Sequence, residues 1–561
     1  MAMKPMKPPR LTGQALRAAR LAAETPGSDA AIREVMRRGL GINELATTPN
    51  AWRGEMPTDA RPIQARKEPR ARQGELLHVP VRAWPPPASA YVRAFREGTH
   101  TVRQVAERAL VELEGLASRR PTMNVLVCSD RTATLRDADA AAARYAAKAT
   151  LGPLDGVPFL VKDEFDVQGL PTTLGSRCEP RTPAERDSAV VARLRRAGAV
   201  FMGKTVLTEW GMSPIGANMS ARMPHNVHDA TRAPGGSSTG SAVGVALGLA
   251  PVAAGGDGGG SIRTPAALNG VFGIKPTFGR VSRAGDGFKG SVAHAGPIGA
   301  STADLVAFLD AVSSEPDPDD ALTAWAPPPP PGGFGSLLSA GVRGLRIGVD
   351  EAEWRDASEP VARACREALR GLEREGATIV NVTMAIARHA SKIGYLTIGP
   401  ESLASHRGDW LGHRQLINDD VRLAFGVLSG FSALEQLDAQ RLRAGLRLEV
   451  AAVLRDVDVL AMPTTAITAP RYTEEDAKTC FSDPVALDGL CRYAFLGNLT
   501  GLPAATAPVG MDPGGLPIGL QILGDAWDEA GVLAILAHLE RVEIAIARRP
   551  RGAIDLLADR G

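Results

Sequence analysis

The chain has 561 residues, 44% of them apolar, and its 64 lysines and arginines stand against 62 acidic residues for a net charge of +2. It is long enough to bury a large core, and the balanced charge gives neither nucleic acid nor an anionic membrane an electrostatic claim as the main partner. Five cysteines (Cys128, Cys178, Cys365, Cys480, Cys491) lie singly, and no His, Cys or acidic spacing completes a metal site, so free thiols in a reducing compartment are expected, with no metal and no cofactor.

The N-terminus, MAMKPMKPPRLTGQALRAARLAAE, has basic residues but no apolar run behind them, and nothing later approaches 18 uninterrupted apolar residues. No signal peptide and no membrane span is expected, which points to a cytoplasmic protein. Residues 1–87 read as an N-terminal arm with helical patches at Leu16 to Ala23 and Ala31 to Arg38, closed by "WPPP" at Trp84 to Pro87. From residue 88 the pattern changes to alternating helices and strands. Val105 to Leu116 and Arg136 to Lys148 read as helices, and "DGVPFLVKD" as a buried strand ending at Lys162. Asp187 or Ser188 caps the next helix, Gly198 stops it, and "AVFMGK" is a second buried strand.

"SAVGVALGLA" suits a tightly buried helix, followed by strand and loop in "PVAAGGDGGG". Thr264 and Pro265 read as N-cap and first residue of a short helix ended by Gly270. Residues 314–335 form a surface excursion, and "LRIGVD" restarts the sheet. Ser432 to Val453 opens on a capping-box pattern and runs as a long helix, before the strands "DVDVLAMPT" and "GLPIGLQILG". Helix, glycine and buried strand in alternation predict an α/β fold over 88–545, with a tail over 546–561.

Two motif matches fail on physical grounds. "GAVFMGKT" satisfies the Walker A spacing, but Ala, Val, Phe and Met between the glycines make it a strand, ending in a solvated Lys204. "GSSTG" satisfies the nucleophile-elbow pattern around Ser238, yet turn formers rather than a strand precede it. His294, His389, His406, His413 and His538 lie downstream without a catalytic context.

The glycine run "AAGGDGGGSIRTPAALNG" has a better use. A linker would not sit between apolar elements, and Asp257 inside the run repels phosphate. Successive glycines let backbone N–H groups converge on one concavity, where they can stabilise a carbonyl oxyanion, and Gly258, Gly259 and Gly260 lead straight into Ser261. A serine nucleophile needs a base, and without a histidine the choice falls on lysine. Neutralising an ordinary lysine at pH 7 costs roughly 4.6 kcal/mol, so the base must be desolvated. Lys162 is best placed, and Lys204 and Lys275 compete with it on composition.

"GVPFLVKD", "APGGSSTGSA" and "GGDGGGSIRTPAALNGVFGIKPTFGR", in that order, resemble the blocks of the amidase signature family; "DVDVLAMPTTAITAP", "NLTGLPAATAPVG" and "GLPIGLQILG" resemble its later ones. The resemblance implies a large mixed central β-sheet covered by helices on both faces. It also implies a Ser–cis-Ser–Lys triad that cleaves amide bonds through an acyl-enzyme. Carried over by position, Ser261 is the nucleophile, Ser237 the bridging serine, Lys162 the base, and the amides of Gly258, Gly259, Gly260 and Ser261 the oxyanion hole. Ser238, Asp257 and Arg263 are supporting residues. Two positions depart from the pattern: Thr239 stands where many members carry glycine, and Gly258 where many carry threonine or isoleucine. "DGGGS", the arm near "PPRLTG" and the arginine-rich "AQRLRAGLRLE" are most like plant-type fatty acid amide hydrolases. That likeness implies a small-molecule amide substrate, long-chain N-acyl amides such as N-acylethanolamines, and a homodimer through the arm.

Overall fold

The computed structural model describes residues 9–54, 61–66, 84–287 and 290–558. Parts of the expected arm and the last residues of the expected tail therefore lie outside the described residues. Thirteen strands are formed among the described ones: β1 Leu11–Thr12, β2 Leu126–Cys128, β3 Pro158–Lys162, β4 Val200–Thr205, β5 Val252–Asp257, β6 Phe272–Lys275, β7 His294–Gly299, β8 Arg346–Val349, β9 Thr378–Asn381, β10 Val459–Pro463, β11 Phe481–Ser482, β12 Ala504–Met511 and β13 Pro517–Gly524.

Eleven of them make one sheet in the order β2-β4-β3-β5-β7-β6-β12-β13-β10-β8-β9. β4, β3 and β5 run parallel, as do β10, β8 and β9, and the remaining neighbours are antiparallel. The fold is thus α/β with a large mixed sheet covered by helices on both faces. β3, β4 and β5 are buried along their whole length, which is why they read as continuous apolar runs rather than as alternating ones. Register places Val161 of β3 beside Ala254 of β5 and Lys162 beside Thr205 of β4, so these three strands end at one edge of the sheet.

The expected helices are present, although the one expected from Val105 starts at Val102 and the one expected from Arg136 starts more than a turn earlier, at Arg131. Ser188 caps the helix Ala189–Arg196 through its side chain, and Ser432 forms a full capping box on Ala433–Asp456. Thr264 is not an N-cap: the helix is Arg263–Asn269, with Ile262 at the cap. Thr264 lies inside the first turn, its hydroxyl donating to the Leu490 carbonyl, while Gly270 ends the helix in the left-handed conformation. The excursion 314–335 is mostly at the surface, but Phe334 is fully buried beneath Arg280.

The arm packs on the main body. Its helix Gly13–Glu24 buries Leu16, Ala19 and Ala23 against Leu423 and Val427 of the helix Asp419–Leu428. Around that apolar seam Arg422 pairs with Glu24 at 2.6 Å and Arg20 with Asp419 at 2.9 Å. A second arm helix, Asp29–Gly39, and the turn Ile42–Thr47 continue across the same face. The C-terminal tail also docks, with Ile554 and Leu556 buried and the Ile554 N–H bonded to the Leu247 carbonyl.

Candidate active site

The site is assembled where β3 and β5 end. Lys162 is the last residue of β3 and Asp257 the last of β5. The loop 258–262 follows and turns into the helix Arg263–Asn269. A third segment enters from the side: Ser237 and Ser238 immediately precede the helix Thr239–Leu247, and the Gly236–Ser237 peptide is cis. The Ser238 N–H donates to the Ser261 carbonyl at 3.2 Å, which ties the two serine loops together.

Lys162 Nζ donates to Ser237 Oγ at 2.9 Å and to the Gly256 carbonyl at 3.3 Å. Lys162 and Ser237 are each 1% exposed, so this contact is sealed from water. Ser261, in contrast, is partly exposed and lines a cavity. The Ser238 hydroxyl donates at 3.2 Å to the same Gly256 carbonyl that Lys162 meets. None of the five histidines considered above is hydrogen-bonded to the Ser238 hydroxyl among the described residues; His294 instead bonds the Val292 carbonyl through Nδ1.

Asp257 and Arg263 hold the glycine loop from beneath. The Asp257 carboxylate accepts the Gly260 N–H at 2.7 Å and the Ile262 N–H at 3.1 Å. Arg263, completely buried, meets both Asp257 oxygens and also reaches Ala494 O, Gln521 Oε1 and Asn498 Oδ1. Burial alone would raise the Asp257 carboxyl, but Arg263 and Asn498 hold it well below the usual carboxylate range. One expected oxyanion donor, the Gly260 amide, is therefore engaged by Asp257, while the Gly258, Gly259 and Ser261 amides have no acceptor among the described residues.

The competing lysines lie elsewhere. Lys204 is not solvated as expected: it is fully buried, 2.7 Å from Asp163, and donates to the Pro171 carbonyl and Thr172 hydroxyl. Lys275 donates to the carbonyls of Leu502 and Pro276, and burial with Arg263 nearby lowers its ammonium well below the ordinary value. Neither is hydrogen-bonded to Ser237 or Ser261 among the described residues.

The cavity that Ser261 and Gly259 line holds about 1110 Å³ of empty space, its open mouth included. Its wall is mostly carbon: Val421, Leu428, Phe431, Tyr395 and Phe495 from the body, and Met36, Leu40 and Ile42 from the arm. Asp420 is the titratable carboxyl in that wall, pushed up to about 6 by burial.

A family model described as Amidase matches residues 112–533. The chain belongs to the amidase family. As such it is a hydrolase acting on amide C–N bonds. This amidase is 33% identical over 473 residues to a fatty acid amide hydrolase of Arabidopsis thaliana, covering 83% of this chain and 78% of that one. It is 36% identical over 447 residues to a component of the glutamyl-tRNA(Gln) amidotransferase of Myxococcus xanthus, covering 75% and 90%. A solved chain from a vestigial protein complex tied to the origins of an s-triazine catabolic enzyme superposes with a TM-score of 0.75 at 30% identity, covering 82% of this chain and 100% of that one. No helix among the described residues is long and apolar enough to cross a membrane.

Sequence reasoning missed three features of this amidase. Glu164 pairs with Lys162, a contact signalled only by an acidic residue two positions after the lysine in "VKDE". The arm's share of the cavity wall had no local signature. Glu179, His406 and Asp409 also converge, with one ligand atom each within 4.8 Å of the others, although no sequence spacing marks them. His406 there stacks on Trp210, whose Nε1–H donates to Glu179.

Proposed function

We propose that this amidase is a serine amidohydrolase in which Ser261 attacks the amide carbonyl, Ser237 relays the proton and Lys162 accepts it. The observation that carries this reading is the 2.9 Å contact between two water-excluded groups, Lys162 Nζ and Ser237 Oγ, beside a cavity lined by Ser261. As the Ser261 Oγ–C bond forms, the Ser261 proton moves to Ser237, whose own proton moves to Lys162. The Gly258, Gly259 and Ser261 amides serve the developing oxyanion, and Gly260 contributes by fixing the loop through Asp257. Collapse breaks the C–N bond while the proton returns through Ser237 to the leaving nitrogen. Water then repeats the path on the acyl-enzyme and releases the carboxylic acid.

The substrates we assign are long-chain N-acyl amides, fatty acid amides and N-acylethanolamines among them. The carbon-lined cavity supports this, as does the likeness to a plant fatty acid amide hydrolase. Hydrolysis of N-acylethanolamines from short to long chain, beside acetamide, tests the assignment. We expect kcat/KM to rise by up to about fourfold per added methylene until the cavity is filled, following about 0.8 kcal/mol for each buried CH₂. A flat or falling series would move the protein to a general primary-amide or aryl-acyl amidase.

A homodimer through the arm and a cytoplasmic location complete the proposal. Leu21 and Val35 are large apolar side chains left exposed on the arm helices, where such a dimer would make its contact. Sedimentation equilibrium should give twice the chain mass, and a monomer at every concentration would rule the dimer out.

A further inference from the structure

Glu164 is a buried charge next to the proposed base that the steps above leave unused. Its Oε2 lies 2.8 Å from Lys162 Nζ, and both side chains are 1% exposed. Its Oε1 has no hydrogen-bond partner among the described residues. A Cβ on Gly256 would overlap that oxygen, so the glycine that supplies a carbonyl to Lys162 also makes room for the carboxyl group. The Glu164 backbone carbonyl is anchored by the Gly287 N–H at 2.8 Å, which fixes the segment carrying the side chain.

The other charges facing this pair already have partners. Asp163 lies 2.7 Å from Lys204, and Asp257 is paired with Arg263 at 2.9 Å. The cation that Glu164 meets is Lys162 itself. Burial pushes the Glu164 carboxyl up, and the lysine beside it pulls the other way.

We propose that Glu164 is a positioning residue for amide hydrolysis, its carboxylate holding Lys162 Nζ against Ser237 and strengthening that amine as a proton acceptor. The inference rests on the reading of Lys162 as the base. During attack the lysine becomes an ammonium ion in a site buried from bulk solvent, and a carboxylate 2.8 Å away stabilises the charge as it forms. Glu164 neither gains nor loses a proton: the proton goes from Ser261 through Ser237 to Lys162 and back by the same path to the leaving nitrogen. The same carboxylate also favours the ammonium form at rest. It therefore slows the enzyme where the lysine is protonated and speeds it where the lysine is neutral.

That opposition gives a test which loss of structure cannot imitate. The kcat–pH curve is measured for wild type, Glu164→Gln and Glu164→Asp, with Ser261→Ala as the blank. For Glu164→Gln we expect the rising limb to move at least about one pH unit toward acid. The alkaline plateau should fall about tenfold, since a weaker base transfers the proton less readily. The two curves then cross, with the variant faster on the acid side and slower on the alkaline side. KM stays unchanged, because Glu164 does not line the cavity. Glu164→Asp withdraws the charge by one methylene and should show the same displacement in smaller measure, which keeps the test readable if the glutamine variant does not fold. A curve lowered at every pH without moving along the pH axis, in whichever variant folds, would overturn the role of Glu164 and leave the triad standing. Turnover by Ser261→Ala would instead strike at the triad reading itself.

Discussion

Replacing Ser261 by alanine abolishes amide turnover, by at least about 10⁴-fold in kcat, while the protein melts where wild type does. The size follows from the proposed role: without the nucleophile of a relay that works as a unit, only binding and the oxyanion donors would remain. The intact fold follows from what the substitution leaves behind. Ser261 is partly exposed at the cavity wall, and its structural contact is through its backbone carbonyl, which accepts the Ser238 N–H in either variant. Steady-state kinetics on a long-chain amide, with a thermal melt on the same sample, checks both halves. Turnover near the wild-type rate would remove Ser261 from the mechanism.

The second large effect is on stability. Arg263→Ala takes one partner from a fully buried pair and leaves the Asp257 carboxylate without its cation, a change that costs about 3–5 kcal/mol. The damage spreads to the glycine loop before Ser261, because Asp257 also receives the Gly260 and Ile262 amides, and to Asn498 and Gln521, which lose the guanidinium they share. Arg263→Lys should rescue little, since one ammonium group cannot reach four partners in fixed directions. Chemical denaturation should show a lowered midpoint in both variants, with activity lost alongside stability. An unchanged midpoint in Arg263→Ala would mean that the network does not support the loop.

What was legible in the sequence follows from range. The buried strand ending at Lys162, the strand within "PVAAGGDGGG", the cap at Asp187 or Ser188, the Ser432 cap and the Gly270 stop all depend on neighbours within a turn or a strand, and they stand close to where the pattern put them. Thr264 failed because threonine before proline is a local cap signal, whereas this helix starts two residues before the expected Pro265, where Arg263 is pinned by tertiary bonds to Asp257 and Gln521. Lys204 failed for a similar reason: nothing at the end of "AVFMGK" announces that Asp163, on the neighbouring strand's exit, pairs with it in the interior. The residues alone left the expected base open among three lysines and only the resemblance singled out Lys162, since burial by itself describes Lys162, Lys204 and Lys275 alike. The cavity wall was the least readable part. Met36, Leu40 and Ile42 lie far in sequence from Phe495, and they reach the same space only because the seam of Leu16 against Leu423 and Val427 docks the arm.

Whether Ser261 is the residue that takes the acyl group is tested most directly by reacting the wild-type protein with a long-chain fluorophosphonate, whose phosphorus stands in for the acyl carbon, and mapping the adduct by peptide mass spectrometry. We expect one adduct per chain, on Ser261, with labelling lost in Ser261→Ala and slowed in Lys162→Ala. Stoichiometric labelling of Ser238, or labelling that persists in Ser261→Ala, would contradict the assignment of Ser261 as nucleophile.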